Sequence, residues 1–161
     1  MRLLNTHNVP ELKEFICDDD DIPPYAILSH TWEYDEEITL QGLSGPLAVA
    51  QRRGFLKIQQ TCALAAQNSL EWAWVDTCCI NKQASAELFE AINSMFRWYQ
   101  NAAVCYVFLA DLEPDADLET NLPKCRWFTR GWTLQELIAP RVVMFYDRYA
   151  HPKAPKRKSA S

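Results

Sequence analysis

Four short apolar runs punctuate the chain: Tyr25-Ala26-Ile27-Leu28, Trp72-Ala73-Trp74-Val75, Val104 to Leu109 and Val142 to Tyr146. Each gives way to polar residues, and unalternated runs of this length are the pattern of strands buried on both faces. Between them the period changes. Phe55, Ile58, Cys62 and Ala65 recur at helical spacing, as do Leu88, Ile92, Met95 and Tyr99, which predicts amphipathic helices. The first is expected from about Pro46, a good first-turn residue, to Asn68. The second begins near Ser85, an N-cap, with Glu87 in its first turn complementing the helix dipole. A third helix carries Glu136 and stops at Pro140.

This alternation predicts an α/β domain of three layers, with a mainly parallel sheet of at least four strands. The strands are expected at about 25–29, 72–76, 103–109 and 142–146, the first of them central. Ligands of such sheets bind outside the carboxyl ends of the strands. Those ends carry Ser29, His30, Thr31, Trp32, Asp76, Thr77, Asn81, Asp111 and Asp147.

Composition narrows the chemistry. The 161 residues fit one domain, and a net charge of -5 leaves no electrostatic footprint for nucleic acid. Lys153, Lys156, Arg157 and Lys158 form a basic cluster in a Pro/Ala/Ser tail, 148–161, expected to be disordered. No apolar run reaches the length of a membrane span, and Met1 to Asn5 lacks the features of a secretory signal. A cytoplasmic chain with reduced thiols is therefore expected, without membrane partners. There is no C-x-x-C and only three histidines, so no metal site is expected; the acidic run Asp18 to Asp21 reads as solvated. Neither G-x-G-x-x-G nor a P-loop is present, and no cofactor is expected. Cys78 and Cys79 with His30 would make a thiol–imidazole pair if the strand ends adjoin, but no protease signature surrounds them.

The densest chemistry lies in Arg130-Gly131-Trp132-Thr133-Leu134-Gln135-Glu136-Leu137. Helical spacing puts Trp132, Thr133 and Glu136 on one face, with Phe128 one turn earlier. A second stripe, Trp127, Gly131, Leu134 and Ile138, is expected to pack inward, the glycine admitting a neighbouring backbone. Glu136 then stands at the edge of a core beside aromatic rings, where carboxylates have perturbed acidity. The plainer reading is a helix-surface carboxylate. The other candidates divide the same way. His30 suits a base, a ligand contact or a structural hydrogen bond. Asp76 suits a ribose hydroxyl or a loop cap. Arg130 suits phosphate oxygens, or an ion pair with Asp76 or Asp111. Trp132 suits a stacked ring or the core.

Four motifs in order make the chain resemble the fungal heterokaryon incompatibility (HET) domain. They are Tyr25-Ala26-Ile27-Leu28-Ser29-His30-Thr31-Trp32, Trp74-Val75-Asp76-Thr77-Cys78-Cys79-Ile80-Asn81-Lys82, Ala91-Ile92-Asn93-Ser94-Met95-Phe96, and Arg126 through Pro140. The resemblance covers 1–147 and implies a domain that triggers programmed cell death when non-self is sensed. The element order is more loosely similar to Toll/interleukin-1 receptor (TIR) domains, with a flavodoxin-like sheet. Trp132-Thr133-Leu134-Gln135-Glu136-Leu137 resembles the Trp-Cys-Leu-x-Glu-Leu helix of plant TIR domains, with Thr133 in place of the Cys. What that implies is an NAD+ glycohydrolase with Glu136 catalytic. Ser29, His30, Trp32, Asp76, Arg130, Trp132 and Thr133 would bind substrate, with no metal. The alternative is a non-catalytic, TIR-like module acting by homotypic self-association. Either form implies a homo-oligomer on activation and an upstream sensor. A TIR sheet has five strands; four are visible in the hydrophobic pattern.

Overall fold

The structure, a computed structural model, describes residues 1–16, 21–45 and 51–154. Its seven strands are β1 (Arg2–Asn5), β2 (Leu12–Glu14), β3 (Tyr25–His30), β4 (Trp72–Trp74), β5 (Val104–Phe108), β6 (Val143–Tyr146) and β7 (Pro152–Lys153). They form one sheet in the order β2-β1-β4-β3-β5-β6-β7. The four expected strands are its parallel centre. Ala26 stands opposite Ala73 of β4 and Val104 of β5, and Val107 stands opposite Phe145. All six residues of β3 are buried, as a central strand covered on both faces requires.

The sheet is mixed rather than mainly parallel, because both margins run antiparallel. At one margin the N-terminal segment makes a hairpin in which Leu3 and Leu4 are fully buried and Leu4 stands opposite Ala73 of β4. A tight turn joins its strands (Asn5 N–H to Glu11 O, 2.8 Å; Glu11 N–H to Asn8 O, 2.8 Å). Antiparallel neighbours need only such a turn, whereas each parallel pair needs a crossover helix. At the other margin the basic tail begins inside the fold. Lys153 pairs with Phe145, and its ammonium reaches the Ala116 carbonyl at 3.0 Å. Residues 148–154 of the expected tail are placed at this margin, while 155–161 lie outside the described residues. So do Asp18 to Asp20 of the acidic run.

Helices cover both faces. On one, α1 (Arg53–Gln67) buries Ile58, Cys62 and Ala65 as its spacing predicts, and its C-terminal Asn68 bonds the Tyr106 hydroxyl of β5. The helix starts at Arg53; 46–50, where an earlier start was expected, lie outside the described residues. On the other face, α3 (Ser85–Asn101) packs Trp98 and Tyr99 on Trp74, with ring centroids 5.6 and 6.2 Å apart. The Tyr99 hydroxyl donates to the Leu28 carbonyl at 3.1 Å. Two short helices, α2 (Asp76–Cys79) and α4 (Leu118–Asn121), follow β4 and β5. No helix among the described residues is long and apolar enough to cross a membrane.

The expected third helix is broken in two. Arg126–Thr129 is a 3-10 turn, Arg130 is extended (φ -75°, ψ 151°), and α5 spans Thr133–Ile138. Asp111 Oδ2 accepts the Arg126 amide at 2.9 Å, and the Thr133 hydroxyl bonds back to the Trp127 carbonyl. These side-chain bonds satisfy the backbone locally and favour turns over a continuous helix. The break rotates α5 away from its predicted face. Thr133 and Glu136 are buried, while Leu134 (66%) and Ile138 (64%) are exposed. Phe128, expected on the Glu136 face, belongs to the separate turn and is half-exposed. Gly131 admits no backbone: among the described residues, nothing lies within 4 Å of where its Cβ would be.

Candidate functional site

The order of the four parallel strands reverses at β3, so that β4 and β5 depart from it in opposite directions. That is where an open α/β sheet leaves a crevice at its carboxyl edge. The last two residues of β3, Ser29 and His30, point to opposite faces because successive strand residues alternate. Each anchors a polar cluster.

On the α3 face, the Ser29 hydroxyl receives the Trp127 indole N–H at 2.6 Å and donates to Glu136 Oε2. Arg130 donates to the same oxygen with one guanidinium nitrogen. With another it reaches the His30 carbonyl at 2.6 Å, tying the extended residue before α5 to the end of β3. Arg130 Nε has no partner among the described residues. Glu136 is only 5% exposed. Burial pushes its carboxyl above the usual range, and the Arg130 charge and the Ser29 hydrogen bond only partly offset this.

On the α1 face, His30 sits between two partners. Nε2 is 2.9 Å from Asp76 Oδ1, and Nδ1 is 3.1 Å from the Lys57 ammonium. A carboxylate accepts and an ammonium donates, so Nε2 carries the hydrogen and Nδ1 the lone pair. Lys57 also donates to the Thr31 carbonyl (3.0 Å) and Glu37 Oε1 (2.6 Å), satisfying its three donors. Asp76 Oδ2 takes the Trp32 indole N–H at 2.9 Å. Burial works upward on Asp76, but the hydrogen bonds from His30 and Trp32 and the charge of Lys82 outweigh it. Its carboxyl therefore lies below the usual range.

Asp76 and Glu136 both open onto a cleft of about 560 Å³. Trp32 (48% exposed) and Trp132 (47%) stand in its rim, and Ile80, Leu88, Ile92 and Met95 form an apolar wall. The predicted α3 stripe is thus divided: Tyr99 is core, while Leu88, Ile92 and Met95 face the cleft. The structure accordingly sorts the expected residues. Trp32, Asp76, Arg130, Trp132 and Glu136 line the cleft. Ser29 and His30 stand behind its wall, bonded to Glu136 and Asp76. Thr133 is a buried hook on the Trp127 carbonyl and does not line it. Arg130 pairs with Glu136 rather than with Asp76 or Asp111, which takes Arg126 instead.

The thiol–imidazole alternative fails, because both ring nitrogens of His30 are committed to other groups. Cys78 is buried, and its hydrogen bond with Cys79 and its burial push its thiol well above the ordinary range. A protonated thiol is a poor nucleophile. Among the described residues, no group of three or more His, Cys, Asp or Glu is placed to hold a metal ion.

Four participants were not singled out from sequence. Lys57 carried a signal, since it lies among Gly54, Ile58 and Thr61 on the buried stripe of α1. A lysine there needs acceptors. Trp127 is core as its spacing predicts, but no local pattern points to its hydrogen bond with Ser29. Glu37 and Lys82 lie outside the regular elements, and spacing does not show where they reach.

The family model described as Heterokaryon incompatibility protein (HET) matches residues 25–121. That span holds Ser29, His30, Trp32 and Asp76; Arg130, Trp132, Thr133 and Glu136 lie beyond it. The chain is 53% identical over 135 residues to Vegetative incompatibility protein HET-E-1 of Podospora anserina. The alignment covers 79% of this chain and 10% of that protein, so the chain spans about a tenth of its relative's length. No solved structure matches the chain.

Proposed function

The chain belongs to the heterokaryon incompatibility (HET) family, and we propose that it acts in fungal non-self recognition as a cell-death effector domain that cleaves the nicotinamide–ribose bond of NAD+. The observation that carries this reading is Glu136, a buried carboxyl whose pKa is raised by burial, opening onto an aromatic-rimmed cleft at the carboxyl edge of the sheet. The four parallel strands, taken in spatial order, are the second, first, third and fourth of their series along the chain. This is the order with which a flavodoxin-like sheet begins, and it supports the TIR-like reading.

The chemistry asks little of the protein. The bond from ribose C1′ to the pyridinium nitrogen breaks with both electrons going to nitrogen, so neutral nicotinamide leaves and needs no acid. The ribosyl fragment becomes an oxocarbenium ion, as in glycoside cleavage. Water then adds to C1′ and gives up a proton, leaving ADP-ribose. Glu136 stabilises the positive charge as it develops. A carboxylate stripped of water is poorly stabilised in the ground state, so it gains more from that charge than a solvated one. Ser29 and Arg130 both hold Oε2, which fixes the direction of the carboxylate. Trp32 and Trp132 offer faces for the rings, and the Arg130 edge offers donors to phosphate.

The test is nicotinamide release from NAD+ by the purified chain, with and without a clustering agent. Glu136→Gln keeps the shape and removes the charge. Loss of the carboxylate is expected to cost about a thousandfold in rate. No release from the folded, clustered chain, or equal release by the Gln variant, overturns the assignment.

A second reading, signalling by homotypic assembly under an upstream sensor, is favoured by exposed apolar side chains. Phe89, Ile92 and Phe96 of α3 and Leu134 and Ile138 of α5 are all solvent-facing, and large apolar patches mark interaction surfaces. Toxicity in a yeast host that survives Glu136→Ala, without a fall in cellular NAD+, would select this reading.

A further inference from the structure

The cleft already contains a cation. Lys82 lies on the turn after α2, and its Nζ stands 3.8 Å from the centroid of the Trp32 ring. Both side chains line the cleft. Among the described residues, Lys82 makes no hydrogen bond or ion pair; the ring face and the field of Asp76 hold it. A lysine ammonium is compact and strongly hydrated, so it gives up much hydration in such a place. Burial indeed draws Lys82 below the usual lysine range, against the pull of Asp76.

We infer that the Trp32 face is the seat of a flat, delocalised cation, and that Lys82 occupies this seat until the ligand displaces it into solvent. The ligand class rests on the NAD+ reading, which supplies a cationic pyridinium ring. The argument for the seat is independent of catalysis. Trp is the aromatic side chain that attracts cations best. Its N–H is fixed to Asp76, so the ring is held in place and a negative charge stands at its edge. A pyridinium ring spreads its charge and covers the whole indole face, whereas an ammonium touches it at one point. The apolar wall of Ile80, Leu88 and Met95 favours the ring as well.

Lys82 then acts as a specificity device. An incoming ring must replace the stabilisation that the lysine surrenders. A neutral ring, including the reduced dihydropyridine form of the same dinucleotide, regains neither the cation–aromatic attraction nor the field of Asp76. A charged ring regains both. The site thereby selects the oxidised ligand, whose leaving group is activated, over the reduced one.

The experiment is an NMR titration of the Trp32 indole N–H, assigned with Trp32→Phe, using N1-methylnicotinamide and neutral nicotinamide as probes. Wild type is expected to bind the charged ring more tightly than the neutral one. Lys82→Met, which keeps the stem and removes the charge, is expected to tighten the charged ring about five- to tenfold. Lys82→Arg, which keeps a cation on the ring, should stay near wild type. Unchanged or weaker binding by the Met variant overturns the inference, as does failure of the charged ring to bind. Weaker NAD+ binding by Lys82→Met, with the isolated ring unaffected, also overturns it and makes Lys82 a phosphate contact. Because these readouts need no turnover, a chain that fails to release nicotinamide yet shows the Met effect loses the hydrolase reading and keeps the seat.

Discussion

Ser29 and His30 are neighbours in sequence, yet they organise clusters of opposite character. The His30 cluster is closed. Each ring nitrogen of His30 has a partner, Lys57 has three acceptors, and both Asp76 oxygens receive an N–H. The Ser29 cluster is open. Its carboxylate takes both of its hydrogen bonds on one oxygen, its carboxyl is raised where that of Asp76 is lowered, and Arg130 Nε has no partner among the described residues. A satisfied buried network rigidifies a fold, whereas a buried polar group left without a partner is costly and gains when one arrives. The closed cluster lashes the loop holding Glu37 and the start of α2 to the strand end. The open one lies where the same strand meets the cleft. Alternation along one strand is enough to separate a closed clamp from a carboxylate that opens onto the cleft.

Substitutions in the two clusters should therefore fail differently. Glu136→Gln is expected to lose about 4 kcal/mol of transition-state stabilisation, the free-energy form of a thousandfold loss, while keeping most of its stability. Lys57→Met should do the reverse. It removes the cation from a buried network, leaving Glu37 Oε1 with only the Glu33 amide and the His30 lone pair without a donor, which should cost about 3–5 kcal/mol of stability. Urea unfolding alongside nicotinamide release, per folded molecule, separates the two. A Lys57 variant as stable as wild type would dissolve the distinction.

Two glycines give the next contrast. A Cβ at Gly54 would strike the Glu36 carbonyl and come within 2.7 Å of Glu37 Cα, both backbone. The α1 N-terminus or the loop must then move, drawing Glu37 from Lys57. Gly54→Ala should cost about 1–3 kcal/mol, as overpacking does. Gly131, in the cleft wall, meets nothing within 4 Å among the described residues, so Gly131→Ala should stay within about 0.5 kcal/mol of wild type. Thermal unfolding of the pair measures both; equal shifts would show that the loop yields freely.

The parallel centre of the sheet was legible because each strand is a dense apolar run and each intervening stripe holds its helical period. The margins were not. Leu-Lys-Glu at 12–14 and Pro-Lys at 152–153 have no pattern of their own and become strands only because β1 and β6 offer edges to pair with. At the site, spacing put Trp132 and Glu136 on one face, and both line the cleft. It misjudged the rest of the segment, since periodicity presumes an unbroken helix and the hydrogen bonds to Asp111, His30 and Trp127 interrupt this one. Lys82 and Glu37 depended on tertiary reach, which no local pattern encodes.

The smallest effect tests the clusters through pH. Glu136 has its carboxyl raised above 4.5 in the fold, so the folded chain holds that proton more firmly than the unfolded chain. Its contribution to stability is complete below about pH 4.5 and is lost as pH rises through the folded value. Asp76 is lowered beneath 3.8, so its contribution is present above that value and is lost as pH falls through the folded one. The two variants should then drift in opposite senses against wild type. Asp76→Asn should show its full deficit at neutral pH and recover toward wild type below 3.8. Glu136→Gln should gain on wild type as pH climbs past 4.5, because it lacks the carboxyl that must ionise in a buried place. Urea unfolding of the three proteins between about pH 3 and pH 7 reads both slopes. Parallel drift of the two variants would mean that the carboxyls share one environment, and the division between a closed and an open cluster would fall with it.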